Sequence, residues 1–201
     1  MKKFFAPFAV AASLALTAFT VSNVLPIGAS MPLADRKMKD ISGKEVSLQE
    51  AKKESGLLVM FSCNTCPVVV KNEQRTIAIS KYAQQKGLGV ILINSNEAQR
   101  DGDDAFNAMQ AYAKKLGYKW HYVVDQDSKM ADAFGASRTP ETYLFNKDGK
   151  LVYHGAIDDN PNNASAVNRL HLQTAIDEMV SGKAVAVATS RSVGCSIKRK
   201  S

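Results

Sequence analysis

Residues 56–67 read Gly-Leu-Leu-Val-Met-Phe-Ser-Cys-Asn-Thr-Cys-Pro. The near-continuous apolar run at 56–61 is typical of a β-strand that is buried on both faces. Cys63 and Cys66 follow it directly, and Pro67 suits the first turn of a helix, where a backbone N–H is not needed. The stretch therefore predicts a strand, a short turn that carries two cysteines, and then a helix.

The position of the two cysteines at this junction matters more than their spacing. Side chains at positions i and i+3 of a first helical turn lie close enough to form an unstrained disulfide. Free N–H groups and the positive end of the helix dipole stabilise a thiolate there and lower its pKa. We expect Cys63 to be the exposed, attacking thiol and Cys66, one turn deeper, to resolve the mixed disulfide.

Zinc binding and haem attachment by the cysteine pair would each need further residues in the sequence. A zinc site needs two more ligands, and the sequence offers only Cys195 and three scattered histidines, His121, His154 and His171. Haem attachment needs a histidine directly after Cys66, where a proline stands. The sequence therefore predicts no metal and no cofactor, while a static structural disulfide stays open as an alternative.

Outward from this stretch, apolar strands alternate with helical segments. Predicted strands lie at 88–94, 121–124, 142–145 and 150–154, and predicted helices at 47–54, 67–85, 129–134, 166–180 and from a cap at Asp103 to 116. Residues 146–149, Asn-Lys-Asp-Gly, give a turn signal between the last two strands. Crossover helices between buried strands, followed by a hairpin and a helix, predict an α/β fold with a mixed sheet covered on both faces.

Four parts of the chain resemble one known family. They are the hairpin sequence at 40–44 (Asp-Ile-Ser-Gly-Lys), the Cys63 and Cys66 pair, the segment Arg138-Thr139-Pro140 and the last hairpin at 148–155. On these residues the chain resembles the thioredoxin-like superfamily over roughly 27–180, in particular exported proteins of the TlpA/ResA and redoxin (AhpC/TSA-related) type. The resemblance implies a thioredoxin-like fold, with a central mixed sheet, helices on both faces and an N-terminal hairpin extension.

The resemblance also implies a role for the proline loop. In this fold the peptide bond between Thr139 and Pro140 is cis, and the loop faces the cysteines. The backbone of Thr139 would pair with an extended stretch of substrate, and Pro140 would keep the loop from capturing metal or blocking the thiols. The implied catalytic residues are therefore Cys63, Cys66, Thr139 and Pro140.

The activity that the resemblance implies is that of an enzyme, an exported thiol–disulfide oxidoreductase. It would use a reversible Cys63–Cys66 disulfide to reduce or exchange protein disulfides, and a further redox partner would recycle the pair. The chain departs from the family in having Ser62 where such reductases usually carry tryptophan. The acidic residue that assists the buried cysteine in relatives has no clear match, and we expect Glu73 and Glu141 to be solvated surface charges.

Two alternative functions stay open. Peroxiredoxins carry the peroxide-attacking cysteine at the position of Cys66, but they have threonine or serine where this chain has Cys63. They also place an activating arginine near the position of Pro140, and Arg138 is close but out of register. The other alternative is a non-catalytic binding module with a static disulfide. Cys195 could exchange with the pair, bridge to another molecule, or be a free thiol on a mobile tail.

The N-terminus has the pattern of an export signal. Lys2 and Lys3 precede an uncharged apolar run at 4–21. The chain is therefore predicted to divide into a signal peptide or retained membrane anchor at 1–22, a thioredoxin-like domain at 24–182 and a basic tail at 183–201. The domain would work in a periplasmic or other extracytoplasmic compartment, where disulfides persist. Any membrane attachment would go through the N-terminal segment.

The composition and the distribution of charge exclude several classes of protein. With 45% apolar and 22% charged residues among 201, the chain is neither disordered nor a multi-span membrane protein. Of the net charge of +7, two positive charges lie at Lys2 and Lys3 and four in the last eleven residues, so the rest carries only +1. Because the body has no basic excess, we predict no nucleic-acid partner.

Overall fold

The structure is a computed structural model that describes residues 24–200. The predicted signal peptide or anchor at 1–22 lies outside the described residues. The strands are β1 (Met38–Asp40), β2 (Glu45–Val46), β3 (Leu57–Phe61), β4 (Gly89–Asn94), β5 (His121–Val124), β6 (Arg138–Thr139), β7 (Glu141–Phe145), β8 (Leu151–Gly155) and β9 (Cys195–Ser196). The helices are α1 (Leu48–Ala51), α2 (Pro67–Lys71), α3 (Glu73–Gln85), α4 (Phe106–Leu116), α5 (Lys129–Phe134) and α6 (His171–Val180). Among these helices, none has the length and apolar character needed to cross a membrane.

Seven of the strands described form one mixed sheet in the order β2-β1-β5-β4-β3-β7-β8. β3 is parallel to β4, and β4 is parallel to β5, whereas β7 is antiparallel to β3 and β8 is antiparallel to β7. At the other edge, β1 is antiparallel to β5 and pairs with β2. The predicted mixed sheet and its N-terminal hairpin are confirmed.

The central strands separate two apolar cores, one on each face of the sheet. Along β3, Leu57, Val59 and Phe61 belong to one core, and Leu58 and Met60 belong to the other. α1 and α5 cover the first core, and α3, α4 and α6 cover the second. Because helices cover both faces, every position of β3 is buried, which explains its continuous apolar sequence.

The helix predicted at 67–85 is two helices, α2 and α3, that meet at Asn72. The side-chain amide of Asn72 donates hydrogen bonds to the carbonyls of Val68 (2.7 Å) and Pro161 (3.0 Å). The Val68 carbonyl also accepts from the backbone N–H of Asn72 (3.1 Å), so Asn72 closes the end of α2 and ties it to the loop before α6. The break keeps α2 short, directly behind the cysteine-bearing turn.

Two other helix starts differ from the sequence-based prediction. Asp103 does not cap α4, which begins at Phe106; the side chain of Asp103 is exposed, and that of Asp104 is buried instead. α6 begins at His171 and not at 166, because Ala164–Ala166 form a separate 3₁₀ turn. Both differences are local, and neither changes the topology of the sheet.

The C-terminal residues run back across the domain, and we call residues 188–199 the C-terminal strap. Its first part pairs with β8, where the His154 N–H donates to the Ala188 carbonyl (3.0 Å) and the Ser190 N–H donates to the His154 carbonyl (3.1 Å). Its second part contains β9, which pairs with β6, and then Ile197, which is only 6% exposed and joins the first core. The idea of a mobile tail around Cys195 is therefore wrong, while the domain boundary at 182 stays a prediction.

Candidate functional site

The turn after β3 places the two cysteines differently from one another. β3 ends at Phe61 and the N–H of Ser62 still donates to the Ile93 carbonyl (2.9 Å), so the chain leaves the sheet only at Cys63. α2 begins at Pro67, and Cys66 is its N-cap. The expectation that both cysteines share the first helical turn is wrong, because proline starts the helix one residue after Cys66.

The proline loop faces both cysteines. The peptide bond between Thr139 and Pro140 is cis, as the resemblance implied. The Sγ of Cys63 lies 3.3 Å from Oγ1 of Thr139, at hydrogen-bond distance, and the Sγ of Cys66 lies 3.3 Å from the Thr139 carbonyl oxygen. The structure thus brings together the four residues predicted as catalytic, and their catalytic role stays a prediction.

The disulfide in this structure joins Cys66 to Cys195, with the two Cα atoms 6.1 Å apart, and Cys63 is a free, buried thiol. This differs from the predicted Cys63–Cys66 pairing. Cys63 is 1% exposed, so the expectation of an exposed attacking thiol is also wrong. Both differences involve the strap, which packs Cys195 against Cys63 and Cys66. No pattern in the sequence predicted that the strap lies there.

The strap lies along β6 as an antiparallel strand. Thr139 faces Cys195 in the register, and Arg138 faces Ser196. The Arg138 guanidinium donates to the Gly194 carbonyl (3.3 Å), which holds the strap just before Cys195. The resemblance assigned the backbone edge of Thr139 to an extended substrate, and in this structure the protein's own C-terminal segment pairs with that edge.

Gly194 fits where no larger residue would. A Cβ atom at this position would lie 2.1 Å from the Thr139 carbonyl oxygen and 2.7 Å from its carbon. Both atoms belong to the backbone of the proline loop and have no freedom to rotate away. The close approach of the strap to Thr139 therefore depends on glycine immediately before Cys195.

Burial raises the pKa of the Cys63 thiol above its ordinary value of 9.0, and the negative charge of Asp104 acts in the same direction. Hydrogen bonds from Thr139 and from the N–H groups of Cys66 and Thr65 lower the pKa but do not outweigh the burial. The sequence-based expectation of a lowered pKa at Cys63 is therefore wrong for this state of the chain.

A buried polar network lies on the other side of the cysteine turn, centred on Asp104. Its carboxylate accepts hydrogen bonds from the Asn64 backbone N–H (2.9 Å), the Asn94 amide (2.7 Å) and the Asn96 amide (2.8 Å). The hydroxyl of Tyr122 donates to the side-chain oxygen of Asn64 (2.9 Å) and accepts from the Asn94 amide (3.0 Å). The network holds the turn between Cys63 and Cys66 through the backbone and the side chain of Asn64.

The sequence-based reasoning missed this network, although one signal was available. Asn94, Ser95 and Asn96 are three consecutive polar residues directly after the buried strand β4, and all three are buried. Because carboxyl ends of neighbouring parallel strands meet at one edge of a sheet, polar residues there mark the place where sites form. Asp104 itself stands among other acidic residues and gave no such signal.

Glu141 is buried, which corrects the expectation of a solvated surface charge. Its carboxylate accepts hydrogen bonds from the backbone N–H groups of Ser137 (3.0 Å) and Arg138 (3.2 Å) and from the Tyr143 hydroxyl (3.2 Å). It thereby fixes the loop that leads into Thr139. Glu73 is partly buried and accepts a hydrogen bond from the Tyr112 hydroxyl (2.9 Å).

With this geometry in view, comparisons with known proteins identify the family. The family model described as redoxin matches residues 26–170. The chain belongs to the redoxin family. The thioredoxin-like superfamily assignment and the redoxin and ResA resemblance predicted from the sequence are confirmed.

Curated relatives of this redoxin include the thiol-disulfide oxidoreductase ResA of Bacillus subtilis (strain 168), which is 25% identical over 115 residues. The match covers 57% of this chain and 60% of that protein. A second ResA, from Geobacillus thermodenitrificans (strain NG80-2), is 21% identical over 133 residues, or 66% of this chain and 71% of that one. The match to the first relative thus spans less than two thirds of its length.

Two solved structures resemble the redoxin over almost its whole length. An uncharacterized conserved protein from Geobacillus kaustophilus is 33% identical, with a TM-score of 0.81 over 89% of this chain and 94% of that one. A hypothetical protein from Sinorhizobium meliloti 1021 is 34% identical, with a TM-score of 0.80 over 89% of this chain and 97% of that one. A thioredoxin-like protein in its oxidized form, at 17% identity and a TM-score of 0.60, shows the shared fold.

Proposed function

We propose that this redoxin is a thiol–disulfide oxidoreductase that exchanges disulfides with extended segments of other proteins through its Cys63 and Cys66 pair. One observation carries the proposal. Cys66 is covalently bonded to the cysteine of a segment that is hydrogen-bonded, as an antiparallel strand, to the backbone beside the cis-proline. A mixed disulfide between Cys66 and a substrate protein would need the same arrangement.

The details of the strap support this reading of the site. Pairing through Thr139 and Arg138 uses backbone groups, so it accepts any extended chain that has little bulk next to its cysteine. The close fit at Gly194 adds a limit on the size of the residue before the cysteine. We therefore propose protein thiols and disulfides in extended segments as the substrates, with small residues immediately before the reacting cysteine.

The proposed order of attack reverses that expected from the sequence. The Cys66 thiolate attacks a substrate disulfide, forms a mixed disulfide and releases one substrate thiolate, which takes up a proton. Cys63, which packs in the same buried apolar cluster, then attacks the Sγ of Cys66 and releases the second substrate thiolate. Two electrons have passed to the substrate, and an external dithiol reductant restores the Cys63–Cys66 disulfide to two thiols.

We propose that the protein works outside the cytosol. The apolar run at 4–21 behind Lys2 and Lys3 supports export, and a disulfide such as Cys66–Cys195 persists in an oxidising compartment. Membrane fractionation and N-terminal sequencing of the mature protein would test this. Recovery of the uncleaved chain in the cytosol would contradict it.

The function is tested by reduction of insulin disulfides with dithiothreitol as the electron source. Cys66→Ser should lower the rate at least about 100-fold, because it removes the proposed nucleophile. Cys63→Ser should accumulate a mixed disulfide at Cys66 when Cys195→Ser is present as well. Unchanged turnover in Cys66→Ser would overturn the proposal, and a disulfide that resists millimolar dithiothreitol in the folded chain would indicate a non-catalytic module.

A thiol peroxidase is the second candidate, because the Cys66–Cys195 bond is also the product that peroxide chemistry would leave. Peroxide would oxidise the Cys66 thiolate to a sulfenic acid with loss of water or alcohol, and condensation with the Cys195 thiol would release water. Against this, the guanidinium of Arg138 is bound to the Gly194 carbonyl in this structure. Peroxide consumption that needs Cys66 but survives Cys63→Ser would select this candidate.

A further inference from the structure

The strap brings a third sulfur atom to the cysteine pair and is attached to the domain on both sides of it. Before Cys195, the Ser190 side chain accepts a hydrogen bond from the Ala156 N–H (2.9 Å) and shares another with the Tyr153 hydroxyl (2.7 Å). After Cys195, the Ile197 N–H donates to the Ser137 carbonyl (3.0 Å). These two attachments set the register of the strap on either side of the sulfur.

The residues after Cys195 belong to the same attachment. The Lys198 N–H donates to the side-chain oxygen of Asn96 (2.9 Å), and the Lys198 carbonyl accepts from the Ala98 N–H (2.9 Å). The Arg199 guanidinium donates to the Asp132 carboxylate and to the Ala136 carbonyl, each at 2.8 Å. Asn96 also belongs to the polar network around Asp104. The strap is therefore linked directly to the network that supports the cysteine turn.

We propose that Cys195 is a third redox-active cysteine, which resolves the mixed disulfide at Cys66 while the strap displaces the substrate from β6. This inference rests on the proposed exchange at Cys66 and adds a second resolving thiol to it. Cys195 and a substrate cysteine need the same place opposite Thr139, so the two cannot be bound there together. Closure of the strap therefore makes the new bond and removes the product in one event.

The step balances without another reagent. The Cys195 thiolate attacks the Sγ of Cys66, the bond between Cys66 and the substrate sulfur breaks, and the substrate leaves as a thiolate that takes up a proton. The chain is then oxidised as the Cys66–Cys195 disulfide of this structure, and the substrate is reduced. A dithiol reductant, the same class that turns over the proposed enzyme, reopens the strap by reducing this bond.

The test uses the reduced full chain and a single turnover with an activated probe. The probe is an extended peptide with one Gly-Cys pair, whose cysteine is bonded to thionitrobenzoate. Attack by Cys66 releases coloured thionitrobenzoate, because it is the better leaving group, and leaves the peptide on the protein. Chromatography then follows the release of free peptide, which reports the resolving step alone.

Removal of Cys63 isolates the contribution of Cys195. In Cys63→Ser the peptide should leave at least about 100-fold faster than in Cys63→Ser/Cys195→Ser, because the tethered thiol has a high effective concentration. Peptide mapping without reductant should recover the Cys66–Cys195 bond. Equal release of peptide from the two variants would overturn the role of Cys195. Absence of thionitrobenzoate release from Cys63→Ser/Cys195→Ser would instead mean that the proposed exchange at Cys66 fails.

A glycine pair gives a matched control that keeps all sulfur atoms of the first variant. Gly194→Ala in the Cys63→Ser background should slow peptide release about 10-fold, since the added Cβ collides with the backbone of Thr139. Thionitrobenzoate release should not change, which shows that the site is still folded. Gly102→Ala has room for its Cβ and should match Cys63→Ser in both steps. Unchanged peptide release in Gly194→Ala would contradict closure of the strap over β6.

Discussion

The cysteine turn lies between two regions that hold it by different means. On one side, the network around Asp104 uses side-chain groups: one carboxylate accepts from the Asn64 backbone and from the amides of Asn94 and Asn96. On the other side, the strap uses backbone pairing with β6, side-chain contacts of Ser190, Ile197 and Arg199, and one covalent bond, between Cys66 and Cys195. The first has no covalent link to the turn, and the second has one bond that a reductant can break.

This difference means that the network around Asp104 supports the turn permanently, whereas the strap covers it and can be displaced. A buried carboxylate that has lost its partners cannot be satisfied by water, so the network around Asp104 holds only as a complete set. The strap can leave, since its edge groups can pair with another extended chain or with water. Reduction of the Cys66–Cys195 bond leaves the strap held by noncovalent contacts alone, whereas the hydrogen bonds to Asp104 contain no bond that reduction can break.

The largest effect is expected when the covalent link of the strap is removed. Cys195→Ser should lower the free energy of unfolding of the oxidised chain by up to roughly 5 kcal/mol, because the bond joins residues 129 positions apart. Denaturant titration with and without dithiothreitol measures this. In dithiothreitol the wild type should fall to the stability of Cys195→Ser. Equal stability of the wild type in both conditions would show that the bond does not hold the strap.

The second effect concerns the network side. Asp104→Ala should cost about 3 kcal/mol in the free energy of unfolding, because it leaves three buried donors without an acceptor. The same loss should appear in oxidised and reduced chains, unlike the loss in Cys195→Ser. Asp103→Ala is the control, since that side chain is exposed, and it should change stability by less than about 0.5 kcal/mol. If both variants behave alike, the network is not the support described above.

A smaller effect is expected from the apolar anchor of the strap. Ile197→Val removes one methylene from a side chain that is only 6% exposed and should cost about 1 kcal/mol. Val193→Ala lies on the same strap but is 39% exposed, so it should cost less than about 0.5 kcal/mol. Thermal unfolding of the oxidised chains compares them. A greater loss in Val193→Ala would mean that the strap contacts the core at another place.

The smallest effect is a pH dependence at the first attachment of the strap. Burial lowers the pKa of His154, which stacks on the Tyr143 ring and pairs with Ala188, below its ordinary value of 6.5. The unfolded chain then binds the proton more readily, so stability is full above pH 6.5 and falls as the pH drops through the lower, folded pKa.

Unfolding titrations between about pH 8 and about pH 5 would measure this dependence. His154→Gln should flatten the profile, because it removes the group that titrates. A profile for His154→Gln that follows the wild type would assign the pH dependence to another group.

Much of the fold could be predicted because its signals are local. The apolar run of β3 reports burial on both faces, and Gly117, which takes the left-handed conformation, marks the end of α4. Where the prediction was wrong, two local signals competed. Asp103 looked like a cap, but the neighbouring Asp104 is drawn inward by the amides of Asn94 and Asn96.

The site was predicted less completely, for reasons of distance along the chain. Cys63, Cys66 and the cis-proline loop came together as expected because motifs mark each of them. Glu141 looked like a surface charge, because its partners include backbone N–H groups, which no sequence pattern reveals. β6 and β9 are each two residues long, too short for any periodicity to register.

The sequence by itself determined the order of strands and helices and the position of a cysteine pair at a strand–helix junction. These features depend on burial and turn chemistry, which neighbouring residues determine. Only the tertiary structure decided which cysteine is bonded and which stays a free thiol. Cys195 meets Cys66 across 129 positions through the register of a two-residue strand on Thr139, and backbone pairing of that kind leaves little signal in the side-chain sequence. The third cysteine therefore acquired its place beside the pair only when the chain folded back on itself.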